Sequence, residues 1–244
     1  MVPKTTLIKF LSFVLIAALF ASCNFKIDLD RKKGSGNITT QSRDIPEDFQ
    51  KIEVGNGIEV LVEQSDNKSV TVETDDNLQN IIVTKVENGT LIIESTEGFS
   101  SSETTTVTVK MPVIKGLQTT SGATLRSVKS LASEGLEVKA SSGSTIEVDV
   151  EADNLIAESS SGSTISISGK ALRLETASSS GSTIEAGALL ANEVVSQSSS
   201  GSSTRVNPVL VLKGKASSGG SVQYKNVPKT LEKEENSGGS VSQN

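Results

Sequence analysis

Ser141-Ser142-Gly143-Ser144-Thr145-Ile146 recurs unchanged as Ser160–Ile165 and again as Ser179–Ile184. Looser copies occupy Ser121–Leu125, Ser199–Thr204, Ser217–Val222 and Ser237–Val241. Their glycines, Gly122, Gly143, Gly162, Gly181, Gly201, Gly219 and Gly238, follow one another in steps of 21, 19, 19, 20, 18 and 19. A unit held near one period while its flanks vary is a unit that stacks on copies of itself. Aligned on these glycines, the third position after Gly holds Leu125, Ile146, Ile165, Ile184, Thr204, Val222 and Val241. The fifth holds Val148, Ile167, Ala186, Val206 and Tyr224, and the seventh before Gly holds Leu136, Leu155, Leu174, Val194, Leu212 and Leu231. Such spacing is the inward side of short strands.

The fourth position after Gly (Arg126, Glu147, Ser166, Glu185, Arg205, Gln223, Ser242) is then solvent-facing, with Ser166 separating two like charges. Four before Gly, Lys139 neighbours Glu158 and Lys215 neighbours Glu234 on adjacent rungs. A parallel β-helix with coils of 19–20 residues satisfies all of these columns, and seven marks span about 29 Å at ~4.8 Å per rung. Right-handed winding is the default for parallel connections. The alternative fold is a β-sandwich of regularly spaced hairpins. Gly at the corner admits a left-handed backbone, so Gly162→Val is expected to damage folding and Ser161→Ala to be mild. The serines before Gly, and the Thr or Ser two after it, are expected to form a hydroxyl ladder along the axis.

Composition agrees with a thin core. Hydrophobic residues are 35% of the 244, aromatics 3%, and Trp is absent. The net charge of −6 disfavours nucleic acid. No histidine exists to serve as base or ligand, and the one cysteine can form neither an internal disulfide nor a Cys-rich metal site. No cofactor and no metal are expected.

At the N-terminus, Lys4 and Lys9 precede an apolar run from Phe10 to Leu19, too short for a comfortable membrane span. Phe20-Ala21-Ser22-Cys23 resembles the lipobox of bacterial lipoproteins. That resemblance implies cleavage between Ser22 and Cys23, acylation of Cys23, and stable anchoring through more than one chain. Residues 1–22 are thus read as signal, 23–36 as tether, 37–116 as an N-terminal β part and 117–244 as the Ser-Gly repeat.

Within 37–116, Ile52-Glu53-Val54, Ile58–Val62, Val70–Glu73, Ile81–Val86, Leu91–Glu94 and Thr106–Met111 alternate at period two. Turn compositions at Ser65-Asp66-Asn67, Asp75-Asp76-Asn77 and Glu87-Asn88-Gly89 separate them, with room for a brief helical turn at Asn77–Asn80. Phe49–Val54, Gly57–Val60, Asn88–Ile93 and Val107–Pro112 with Leu117 resemble the head GIN domain family, whose members are described as auto-transporter adhesins and are frequent among Bacteroidetes lipoproteins. The resemblance spans residues 37 to 225 and implies an all-β fold with no catalytic motif.

Glu147, Asp149, Glu151 and Asp153 could suggest a carboxylate-based polysaccharide-degrading β-helix. Alternation, however, sends the first three outward as a solvated face. A serine nucleophile lacks a base. Ser65-Asp66-Asn67-Lys68 matches two motifs of penicillin-interacting enzymes but overlaps them in one turn. Asp75-Asp76-Asn77 has calcium-like composition and is read as turn. The expectation is a non-catalytic, outer-membrane, lipid-anchored adhesin binding an extended glycan or envelope protein on a β-helix face. A structural envelope subunit is the alternative.

Overall fold

The computed structural model describes residues 31–244; the signal through Ser22, the cleavage site, Cys23 and the start of the tether lie outside the described residues. Lys32–Asn244 form one compact unit. Its strands are β1 (Lys32–Lys33), β2 (Ile38–Arg43), β3 (Lys51–Val54), β4 (Glu59–Gln64), β5 (Ser69–Asp75), β6 (Ile82–Glu87), β7 (Thr90–Ser95), β8 (Phe99–Ser100) and β9 (Thr106–Met111). There follow β10 (Gly116–Thr119), β11 (Thr124–Ser127), β12 (Leu131–Ala140), β13 (Thr145–Ser159), β14 (Thr164–Ser178), β15 (Thr183–Ser198), β16 (Ser203–Ala216), β17 (Ser221–Tyr224), β18 (Thr230–Glu235) and β19 (Ser240–Gln243). Among the described residues there is no helix. The architecture is a parallel β-solenoid, not a sandwich of hairpins.

The repeat columns are the register of the ladders. Leu125 pairs with Ile146, then Ile165, Ile184, Thr204, Val222 and Val241. Leu136, Leu155, Leu174, Val194, Leu212 and Leu231 form a second continuous row. The first row is buried throughout and the second up to Leu212, with Leu231 packed on the core from the edge. Fully burying one such aliphatic side chain contributes about 1.5–3 kcal/mol. Stacking makes each rung bury its neighbour, which the single coil cannot do for itself.

The corner is a tight turn with both central residues left-handed. Ser161 has φ 53° and Gly162 φ 71°, and all seven Ser-Gly pairs share this geometry. The turn closes through Ser163 N–H donating to the Ser160 carbonyl, the pattern of a type I′ turn. This corrects the expected ladder. The serine before Gly points into solvent, and its carbonyl, not its hydroxyl, accepts from the Gly N–H of the adjacent coil, as in Gly143 N to Ser161 O at 3.1 Å. The buried hydroxyls flanking the corner fall instead directly after Gly (Ser144, Ser163, Ser182, Ser202) and three before it (Ser159, Ser178, Ser198). Ser163 Oγ lies 2.8 Å from both the Ala140 carbonyl and Ser159 Oγ. Two successive left-handed residues turn the chain so that the side chain after Gly faces inward, and a buried hydroxyl there must find partners.

The N-terminal half departs from chain order. β3 and β4 sit between β7 and β9 on one side and β10 and β11 on the other. The chain therefore leaves the second rung, builds the outer one, and returns to the inner side of the second. Beyond that outer rung the pairing turns antiparallel, β6 against β7, β5 against β9 and β2 against β5. These strands close that end of the solenoid.

Candidate functional site

Two grooves run along the solenoid, one on each side of the corner edge. The first, about 410 Å³, is lined by residues of six successive rungs, from Gln118 to Ser217. Its outer column reads Gln118, Lys139, Glu158, Ala177, Gln197 and Lys215 in register. Six rungs cover about 24 Å at ~4.8 Å spacing. Ala177 interrupts the row of long side chains and opens the groove at its middle. On one side Lys139 bridges Glu137 at 2.7 Å and Glu158 at 3.3 Å; on the other Lys215 meets Glu234 at 2.9 Å. The Lys139 ion pairs raise its pKa, Glu137 contributing most, and Lys215 holds Glu234 below the usual carboxylate range. The inner wall is the serine column two before Gly. Ser141 reaches Thr120 at 3.3 Å, whereas the half-buried hydroxyls of Ser160, Ser179, Ser199 and Ser217 engage no other described residue and face the groove.

The second groove, about 730 Å³, lies beyond the first strand of the coil. Its column runs Arg126, Glu147, Ser166, Glu185 and Arg205 in register. Arg126 bonds Glu147 at 2.9 Å and also reaches Glu59, while Arg205 bonds Glu185 at 2.6 Å. Two ion pairs thus flank a floor of Ser166, Ser168, Gly187 and Ala188. The 20-residue step between Gly181 and Gly201 is absorbed here. The β14–β15 register shifts between Ser166 and Ser168, and the β15–β16 register between Glu185 and Leu190. An inserted residue that cannot join the ladder must bulge, and the bulge falls beside this groove.

The carboxylates singled out from sequence do not assemble into catalytic machinery. Glu147 is held by Arg126, Glu151 pairs with Lys170 at 2.8 Å, and Asp153 is exposed on the next corner. Asp149 accepts from Ser168 at 2.6 Å, and the Ser130 and Ser168 hydroxyls hold its carboxyl below the ordinary range. Ser65–Lys68 is a turn, with Lys68 Nζ donating to the Glu47 carbonyl at 2.8 Å. Among the described residues no cluster of three or more metal-ligating side chains occurs.

Asp75-Asp76-Asn77 is a clamp. The buried Asp75 carboxylate accepts from the Ser101 hydroxyl (2.6 Å), the Ser102 amide and hydroxyl (2.9 and 2.7 Å) and the Gly36 amide (2.6 Å). These donors, Ser101 foremost, keep its pKa far below the usual carboxylate range against the desolvation that opposes them. Asp76 accepts from Ser35 and Asn37, and Asn77 bonds Ser35 N and the Lys33 carbonyl. With β1 pairing β8, the clamp brings Lys32–Gly36 into the folded body. Only the acidic composition of the turn signalled it in the sequence; its partners lie 26 to 44 positions away.

The described residues thus form a regular solenoid with a hydroxyl-lined groove and a charge-lined groove along it. The family model for "putative auto-transporter adhesin, head GIN domain" matches residues 48–228, and the chain belongs to this family. No curated protein matches the chain. Among solved structures, a putative adhesin from Bacteroides fragilis is 18% identical, with 87% of this chain and 99% of that chain covered and a TM-score of 0.80. One from Parabacteroides merdae is also 18% identical, over 88% and 99% of the two chains, with a TM-score of 0.68. A putative lipid binding protein from Parabacteroides distasonis is 21% identical, over 88% and 99%, with a TM-score of 0.65. At these identities the likeness carries the fold alone.

Proposed function

We propose that this protein is a non-catalytic adhesin, anchored in the outer membrane by acylated Cys23, that holds an extended polyhydroxylated ligand along the serine-lined groove. The row of uncommitted hydroxyls at Ser160, Ser179, Ser199 and Ser217 carries the reading. They repeat at strand spacing over a length suited to a glycan chain, and the lip at Lys139, Glu158, Gln197 and Lys215 supplies donors and acceptors on the other side. No aromatic residue lines the groove, so each contact is weak and adhesion draws on many molecules on one membrane. Family membership and the Cys23 lipobox support the setting.

The test uses the full chain in detergent against immobilised polysaccharides of neutral, acidic and amino-sugar classes. Ala177→Arg fills the gap in the lip without touching the core and is expected to remove binding to whichever class the wild type retains. Retained binding in that variant sinks the groove assignment. Fatty-acid labelling that survives Cys23→Ala overturns the anchor.

A further inference from the structure

The outermost described coil, β18 and β19, breaks two columns that every earlier coil keeps. The column Val138, Ala157, Thr176, Ser196, Gly214 continues into Lys233, and Ala140, Ser159, Ser178, Ser198, Ala216 continues into Glu235. Each earlier member is buried and uncharged. Lys233 and Glu235 therefore stand at inward positions, and their charged ends must find partners at the open end of the solenoid. Those partners are the two backbone groups of one residue. Glu235 Oε1 accepts from Val241 N–H at 2.5 Å, and Lys233 Nζ donates to the Val241 carbonyl at 2.7 Å while lying 5.2 Å from the Tyr224 ring.

Ser240 N–H donates back to Gly220 and Asn244 N–H back to Tyr224. Successive residues of a strand direct their N–H and C=O groups to opposite sides, so Val241 directs its own away from β17, toward where another strand would add. The two side chains occupy the hydrogen-bonding positions of an edge strand. The opposite end of the solenoid is already closed by antiparallel β2, β5 and β6. Unprotected edges recruit further strands, and inward-pointing charge is a known means of preventing it.

We propose that Lys233 and Glu235 form a stop that blocks this edge from pairing, tail to tail, with the same edge of a second copy of the chain. The partner excluded is another copy because both edges then present the same unpaired groups in twofold, self-complementary fashion.

The experiment compares the full chain in detergent with Lys233→Thr/Glu235→Ser, which restores the residue types of earlier coils. Protein mass is measured by sedimentation, and backbone amide exchange is followed at Val241 and Gln243. In the wild type Val241 is protected, Gln243 is not, and the protein is monomeric. At low concentration the double variant exchanges Val241 about tenfold faster or more, as expected for loss of a hydrogen bond to a charged acceptor. At high concentration its mass doubles and both amides become protected. Protection at Ile146, Ile165 and Ile184 certifies that the variant is folded. Glu235→Gln keeps a side-chain acceptor for Val241 and stays monomeric. A folded double variant that remains monomeric at every concentration overturns the proposal. So does a wild type that dimerises with Gln243 protected, or dimerisation of Glu235→Gln.

Discussion

Gly162 and Gly169 lie seven residues apart in the same coil, and replacing each by alanine should have very different consequences. Gly162 is a corner glycine with φ +71°, and a Cβ built on it meets nothing within 4 Å. Its substitution costs only the left-handed backbone, about 1–2 kcal/mol, partly offset by about 0.4–1 kcal/mol of lost freedom in the unfolded chain. The net is about 1 kcal/mol. Gly169 is off the repeat, in β14, with φ +108°, and its Cβ would stand 2.1 Å from the Val150 carbonyl oxygen of the neighbouring coil. That oxygen is backbone in the β13–β14 ladder, where Val150 pairs with Gly169, so it cannot step aside alone. Backbone strain of about 1–3 kcal/mol and a similar overpacking cost of about 1–3 kcal/mol make about 2–6 kcal/mol together. Urea unfolding followed by circular dichroism reads the difference. With a slope of about 2 kcal/mol per molar, Gly162→Ala lowers the midpoint by ~0.5 M and Gly169→Ala by ~1–3 M. Gly162→Val should exceed Gly162→Ala, since a β-branched residue is a stronger outlier there. Equal losses at the two glycines, or a neutral Gly169→Ala, would refute the reasoning.

Three further outcomes follow from the same geometry. Ser161→Asn should raise the stability slightly, by less than about 1 kcal/mol, because asparagine tolerates the left-handed region better than serine, while Ser161→Ala should lower it slightly. Asp75→Asn leaves four donors facing a poorer acceptor, and amide exchange at Gly36 and Ser102 should accelerate while exchange in β13–β15 stays unchanged. The depressed carboxyls of Asp75, Asp76 and Asp149 contribute stability that is fully present above the unfolded value of about 3.9 and is lost as pH falls below it. With no histidine in the chain, the midpoint should be flat from about pH 5.5 to 8 and drop below about pH 4; a slope near pH 6.5 would contradict this.

The sequence by itself determined the period, the register and the inward columns. These need only chain-local spacing repeated seven times, so the row from Leu125 to Val241 and the neighbours Lys139–Glu158 and Lys215–Glu234 could be read directly. Everything that rests on distant partners was decided by tertiary structure. The order of the N-terminal rungs depends on which edge of β3 receives β7 and which receives β10, and alternation at period two is blind to that choice. The hydroxyl ladder moved because the fate of each serine depends on two consecutive left-handed residues, which fix whether the next side chain turns inward or out. Asp75 became a clamp because Gly36, Ser101 and Ser102 converge on it from remote positions, and Gly169 is constrained by a carbonyl one coil away. Repetition writes the rod into the chain, whereas its ends, its clamp and its grooves exist only once the coils are stacked.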